Sequence, residues 1–171
     1  HMADNIIIFS GKQYAGKDTA AKIMLDKMPN YRRCAMGDII KLTYGAQKGL
    51  TYDEIEKNKA KYRSDLIVLG NWGREQDPDY WLKKIIKQKG NIIVTDVRVP
   101  HEYEVFKNAG AITIRVEATR ETRAKRGQLV GENDITEVGL DNEKNWDYII
   151  DNNSTYEHLK SQVEKIIDGI K

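Results

Sequence analysis

The sequence predicts an α/β protein with a central parallel sheet covered by helices on both faces. Three observations predict it. Strand-like and helix-like patterns alternate along the chain. The strand-like runs are continuously apolar and rich in β-branched residues, the pattern of strands buried on both sides. No internal repeat, low-complexity stretch or Pro/Gly/Ser-rich linker interrupts the alternation, so one layered domain accounts for it.

The elements follow in order. Asn5-Ile-Ile-Ile-Phe9 is a short apolar run ending in Ser10-Gly11 and reads as a buried strand. Ala20, Ile23, Met24 and Met28 recur at helical spacing, and Pro29 follows that helix. Arg33 to Met36 reads as a second short strand, and Asp38 as the cap of a helix carrying Ile39, Ile40, Leu42 and Tyr44. Thr51 and Glu54 have the spacing of a capping box. Asp77-Pro78 reads as an N-cap with proline at the first helical position, ahead of an apolar face of Trp81, Leu82, Ile85 and Ile86. Asn91-Ile-Ile-Val-Thr95 is the clearest strand and delivers Asp96 at its end. Pro100 opens a helix ending near Gly110, and Ile112 to Val116 is the next strand. Thr119 caps a basic helix with Arg120, Arg123, Lys125 and Arg126. Tyr148 to Ile150 is the last strand, and Tyr156, Leu159, Val163, Ile166, Ile167 and Ile170 stripe the final helix.

Composition bounds the function. The 171 residues suit a single domain, taken as residues 3–171 with His1-Met2 set aside. A net charge of +2 gives no argument for nucleic acid. The single cysteine, Cys34, excludes an internal disulfide and suits a reducing compartment. No apolar run approaches the roughly 20 residues of a membrane span, and no signal segment precedes the first strand, so a cytoplasmic protein without a membrane partner is expected.

In such folds ligands sit beyond the carboxyl ends of the strands. Three segments fall there: Gly11–Lys17, Asp96–Arg98 and the stretch after Val116. The first, "GKQYAGKDT", lies between a strand and a helix and nearly fits G-x-x-x-x-G-K-[ST], the phosphate-cradling pattern. Gly11 and Gly16 permit tight backbone geometry, and Lys17 can reach phosphate oxygens. Asp18 stands where the hydroxyl residue is usual, and Thr19 comes one place late. A carboxylate beside phosphates fits a Mg²⁺ site, with Asp18 ligating directly or through water, or Thr19 in its place. The other reading of Asp18 is a first-turn acid complementing the helix dipole. Lys12 reads either as a contact to a transferring phosphate or as a solvated loop lysine. Asp96, at a strand end, is placed as a second metal-shell candidate.

Arginines supply the remaining charge. Arg98 shares the sheet edge with Asp96, while Arg63 and Arg74 bracket "SDLIVLGNWG". Guanidinium groups bind phosphates bidentately, so a site for two phosphorylated ligands needs several of them. "TRETRAKRGQLVGENDITEVGLDN" reads as a basic helix leading into a mobile lid, over about residues 120–142. Arg123 and Arg126 are spaced to share one face of that helix. In phosphoryl transfer such arginines spread charge and exclude water on closure. No catalytic base is evident, and a phosphate acceptor needs none because its oxygen is already ionised.

With these motifs in hand, the chain resembles the phosphate-loop (P-loop) monophosphate kinases, in particular the deoxynucleoside monophosphate kinases of bacteriophages and the animal-type phosphomevalonate kinases. The resemblance spans most of the chain: "SGKQYAGKDT", "RSDLIVLGNWGREQDPDYWLKKI", "TDVRVPHEYEVFKNAGA", "DITEVGLDN" and "WDYIIDNNST" match in order. It implies a three-layer α/β/α kinase fold with a mobile lid, and ATP with Mg²⁺ as cofactors. It implies that Gly11, Lys12, Ala15, Gly16, Lys17, Asp18 and Thr19 hold the nucleotide phosphates, and Asp18 and Asp96 the metal. Lys17, Arg98, Arg123 and Arg126 would carry catalysis. Asp38, Arg63, Trp72, Arg74 and Arg98 would meet a small monophosphate acceptor, bound partly by a helical region near residues 38–76. Trp72, Tyr80 and Trp81 are candidates for stacking on a base, with core packing expected for at least two of them.

The acceptor is read as a deoxynucleoside monophosphate, with 5-phosphomevalonate as the alternative. The lid and small size resemble the mevalonate enzymes. Gln13 and Tyr14, however, replace their basic loop residues, and Arg98-Val99 replaces their arginine pair. Two further classes stay open: a P-loop switch with slow hydrolysis, and a kinase acting on modified DNA bases. No nucleic-acid partner is expected, and a homodimer is compatible with the sequence.

Overall fold

The computed structural model describes residues 5–170, so His1-Met2 lies outside the described residues. The chain runs β1 (Asn5–Gly11), α1 (Lys17–Lys27), β2 (Tyr31–Cys34), α2 (Asp38–Lys48), α3 (Tyr52–Lys57), α4 (Lys59–Gln76) and α5 (Tyr80–Ile86). It continues through β3 (Asn91–Val94), α6 (Pro100–Asn108), β4 (Ile112–Glu117), α7 (Arg120–Arg126), α8 (Ile135–Val138), β5 (Tyr148–Asp151) and α9 (Tyr156–Ile170). The strands form one sheet in the order β2-β3-β1-β4-β5, every pairing parallel.

The continuous apolar runs are explained by two cores. Alternate residues along each strand point to opposite faces. Ile7, Phe9, Ile114, Val116 and Ile150 pack under α1 and α9. Ile6, Ile8, Ile92 and Val94 pack against Trp81, Ile85, Tyr103 and Phe106 of α5 and α6. The central strand β1 has β3 and β4 as neighbours, so the loop after it opens where the crossovers diverge to the two sides of the sheet.

Four local expectations are corrected. β2 ends at Cys34, two residues earlier than expected, because the Met36 N–H leaves the ladder and donates to Asp96 Oδ1 at 2.8 Å. Asp38 is the first residue of α2, not its cap; its carboxylate accepts from Ala35 N and the Tyr52 hydroxyl, each at 2.9 Å, closing the β2–α2 turn. Asp77 terminates α4, and Pro78 lies in a turn before α5 begins at Tyr80; the Asp77 carboxylate instead accepts from Asp79 N at 2.9 Å. Tyr156 stands exposed at the head of α9, whose buried stripe begins at Leu159. The Thr51–Glu54 capping box and the Thr119 cap form as the sequence predicts.

Helix α4 was not evident as one element from the sequence. It docks through Trp81, whose Nε1 donates to Gly70 O at 3.0 Å and whose indole lies on Gly73. A Cβ at Gly73 would fall 2.6 Å from that nitrogen. Gly73→Ala is therefore expected to lower stability by about 2 kcal/mol in urea unfolding, although alanine is the better helix former. Equal or greater stability in the variant would contradict this packing.

Candidate functional site

The loop after β1 is shaped by close backbone approach. Gly11 packs against β4, where a Cβ would sit 2.9 Å from Val116 O. Ala15 N donates to Lys12 O at 3.0 Å, Tyr14 adopts φ 61°, and Gly16 adopts φ 102° as the N-cap of α1. The chain thus curls in front of the α1 N-terminus, where free N–H groups and the helix dipole favour an anion. Lys17 is the first residue of α1, with its side chain 14% exposed and its Nζ 3.3 Å from Asp18 Oδ1. A cleft of about 720 Å³ opens over the loop, lined also by Arg98, Arg126 and the α7–α8 segment from Val130 to Glu137.

Among the expected nucleotide residues, Gly11, Lys12, Gly16, Lys17, Asp18 and Thr19 line this cleft. Ala15 does not. It is buried, its N–H is spent on Lys12 O, and its carbonyl accepts from Asn152 Nδ2 at 2.8 Å. Lys12 is not a solvated loop lysine, since its Nζ pairs with Asp141 at 2.9 Å.

Asp18 is 74% exposed at the cleft mouth. Asp96 lies deeper, held by Met36 N. Burial pushes its carboxyl above the usual range, against the opposing pull of the Met36 N–H, Arg98 and Lys17. Among the described residues no cluster of three or more His, Cys, Asp or Glu could enclose a metal alone. Mg²⁺ carried on phosphates asks for only one or two carboxylates, which Asp18 and Asp96 fit by chemistry.

Arg123 and Arg126 line different cavities. Arg126 Nη1 donates to Tyr14 O at 2.9 Å, and Nη2 to Asn152 O at 2.6 Å. Arg123 is 6% exposed; its Nε donates to Ala118 O and its Nη1 lies 3.7 Å from Glu137 Oε2. It lines a second cavity of about 590 Å³ behind the loop, with Arg115, Asp141 and Trp146. Spacing on a short helix put both on one face, but the loop passes between the cavities they line.

Arg63 and Arg74 line a third hollow of about 630 Å³ among α2, α3 and α4, walled by Ile40, Ile55, Leu66 and Ile67. It begins at Gly37, next to the Met36 N–H that Asp96 holds. Asp38 and Trp72 are absent from its lining. Asp38 is tied to Ala35 and Tyr52, and Trp72 stands on another face of α4, edge-on to Tyr80 with ring centroids 5.3 Å apart. Trp81 is buried in the core.

The family model for phosphomevalonate kinase matches residues 9–111, and that for deoxynucleotide monophosphate kinase matches residues 64–163. Each spans more than half of the chain. The protein belongs to the P-loop kinases that these two families represent. It is similar to a phosphomevalonate kinase from Drosophila melanogaster, 29% identical over 137 residues, 71% of this chain and 72% of the relative. Its fold is that of shikimate kinase from Aquifex aeolicus (TM-score 0.53, 14% identity, 96% and 95% of the two chains). The APS kinase of Mycobacterium tuberculosis gives a TM-score of 0.52 at 14% identity, covering 97% and 96%. Among the described residues no helix of this P-loop kinase is long and apolar enough to cross a membrane.

Three residues around the loop escaped the sequence reading. Glu137 of α8 accepts from Gln13 N through both carboxylate oxygens, at 3.2 Å each, so an acid of the α7–α8 segment sits on a loop N–H. Asp141 pairs with Lys12, and Asn152 holds Ala15. All three lie in "DITEVGLDN" and "DNNST", stretches that stood out as family blocks. What they touch is set by tertiary contacts across more than a hundred residues, which no local pattern reports.

Proposed function

We propose that this P-loop kinase transfers the γ-phosphoryl group of ATP to the phosphate of a small monophosphate, and that the acceptor is a deoxynucleoside monophosphate. One observation carries it: the phosphate loop and Arg98 line one cleft, and a groove presenting Arg63 and Arg74 begins beside Asp96 at the same sheet edge. Loop N–H groups and Lys17 hold the donor phosphates. Arg98, exposed on the phosphate-loop cleft, meets the acceptor phosphate, and Arg74 in the neighbouring groove supplies further positive charge. Mg²⁺, when bound, neutralises phosphate charge, with Asp18 and Asp96 as its protein partners. Catalysis is then positioning and charge stabilisation. We assign residues 120–142 as the lid and 38–76 as the acceptor-binding region. A cytoplasmic setting fits the lone buried thiol of Cys34.

A second reading, 5-phosphomevalonate as acceptor, is favoured by the Drosophila relative and by a groove whose lining includes no aromatic ring. The deciding experiment is a panel of deoxynucleoside monophosphates plus 5-phosphomevalonate, each with ATP and Mg²⁺, read by ADP release. Turnover with one deoxynucleotide supports the first reading, and turnover with phosphomevalonate alone replaces it. ADP formation indifferent to every acceptor would mark a nucleotide switch instead.

The Glu137 carboxylate and a nucleotide phosphate compete for the Gln13 N–H. Glu137→Gln keeps the shape and removes the charge, so it is expected to tighten binding of a non-hydrolysable ATP analogue about fivefold by calorimetry. Weaker binding would make Glu137 a support of the site, not an occupant of it.

A further inference from the structure

A loop that turns its N–H groups toward phosphate must turn carbonyls away, and those carbonyls need partners elsewhere. Here two side chains from outside the loop supply them. Asn152 Nδ2 donates to Ala15 O at 2.8 Å, and Arg126 Nη1 donates to Tyr14 O at 2.9 Å. Asn152 is itself fixed on both sides. Its N–H donates to Glu117 O at 2.7 Å, extending the β4–β5 pairing, and its carbonyl takes Arg126 Nη2 at 2.6 Å. The residue is 7% exposed, and its side-chain amide lies directly over Gly16, where a Cβ would overlap it. The loop is therefore clamped from behind at the carbonyls of Tyr14 and Ala15, across the stretch where Tyr14 and Gly16 take left-handed geometry.

We propose that Asn152 is a positioning residue for phosphoryl transfer. It touches no phosphate; it holds the Ala15 carbonyl back so that the Gly16–Lys17 turn keeps its N–H groups aimed into the cleft. Arg126 joins the same clamp from the last turn of α7, so the lid base and the end of β5 share one hold on the loop. This rests on the kinase reading above, because a loop of another purpose would have no phosphate to lose.

The test compares wild type with Asn152→Asp and Asn152→Ala in the full chain, using inorganic tripolyphosphate and a non-hydrolysable ATP analogue, each with Mg²⁺, as calorimetric probes. In Asn152→Asp a carboxylate oxygen faces the Ala15 carbonyl and draws Arg126 off Tyr14. Both probes are expected to bind about tenfold more weakly, and the KM for ATP to rise by the same factor with the acceptor KM unmoved. Asn152→Ala, which adds no charge, is expected to lose about threefold and carries the test if the aspartate variant fails to fold. A merely structural role would lower the melting temperature and leave the affinity of the folded protein unchanged, which overturns the proposal. Loss confined to the ATP analogue, with tripolyphosphate unaffected, also overturns it, because Asn152 would then contact the base. Failure of the wild-type chain to bind either probe sinks the kinase reading and this clamp with it.

Discussion

Replacing Lys17 with alanine is expected to lower kcat about a thousandfold and leave the fold standing. The two halves of that statement have separate causes. Lys17 lies at the first residue of α1, and among the described residues its one ion pair is to the exposed Asp18 at 3.3 Å. Such a pair contributes less than about 1 kcal/mol, so its loss scarcely moves the melting temperature. The Lys17 ammonium, by contrast, lines the cleft at the start of α1, whereas the other loop cation, Lys12, is paired with Asp141, so developing charge on the transferred group is expected to depend on Lys17. Lys17 also pulls down on the Asp96 carboxyl, which partial burial raises, so the variant is expected to leave Asp96 raised further. Arginine should not rescue the function, because a planar guanidinium fork on a longer side chain cannot place its charge where the compact Lys17 ammonium does. The measurement is acceptor-dependent ADP release together with thermal unfolding. Turnover within a few-fold of wild type would remove the loop from the reaction.

Why so much of this molecule could be read from its sequence, and where the reading stopped, follows from the range of the forces involved. The strands were legible because burial on both faces leaves no polar positions in Ile6–Phe9 or Ile92–Val94. The loop was legible because left-handed geometry demands glycine at Gly16, although Tyr14 meets the same demand at φ 61° without announcing it. The terminal boundaries near Asp38 and Asp77 were misjudged because an aspartate can satisfy a turn N–H as readily as a helix cap. Arg123 and Arg126 were grouped by helical spacing, yet one is buried beside Glu137 and the other grips the loop. Trp72 was a fair stacking candidate by chemistry, and only the docking of α4 on Trp81 turned its ring away from the groove. Spacing within an element is encoded locally, whereas the partner of a side chain is decided by what the fold brings opposite it.

Gly16→Ala is expected to reduce kcat/KM for ATP about a hundredfold, with two separable costs. The first is conformational: φ is 102° at this position, and a left-handed conformation costs a residue with a Cβ about 1–2 kcal/mol. The second is steric, since the new methyl group overlaps the Asn152 side-chain amide. Asn152 cannot simply swing aside, because it is buried and its donation to Ala15 O would be lost. The loop must instead move outward, and the N–H groups that face the cleft move with it. A double-mutant cycle separates the two costs. Adding Asn152→Ala to Gly16→Ala removes the overlap but leaves the strained φ, so the double variant should recover several-fold over Gly16→Ala alone, although Asn152→Ala by itself is harmful. Steady-state kinetics on the four proteins provides the check. Losses that multiply independently would mean that Gly16 and Asn152 do not meet in solution, and that the overlap is no part of the cost of filling Gly16.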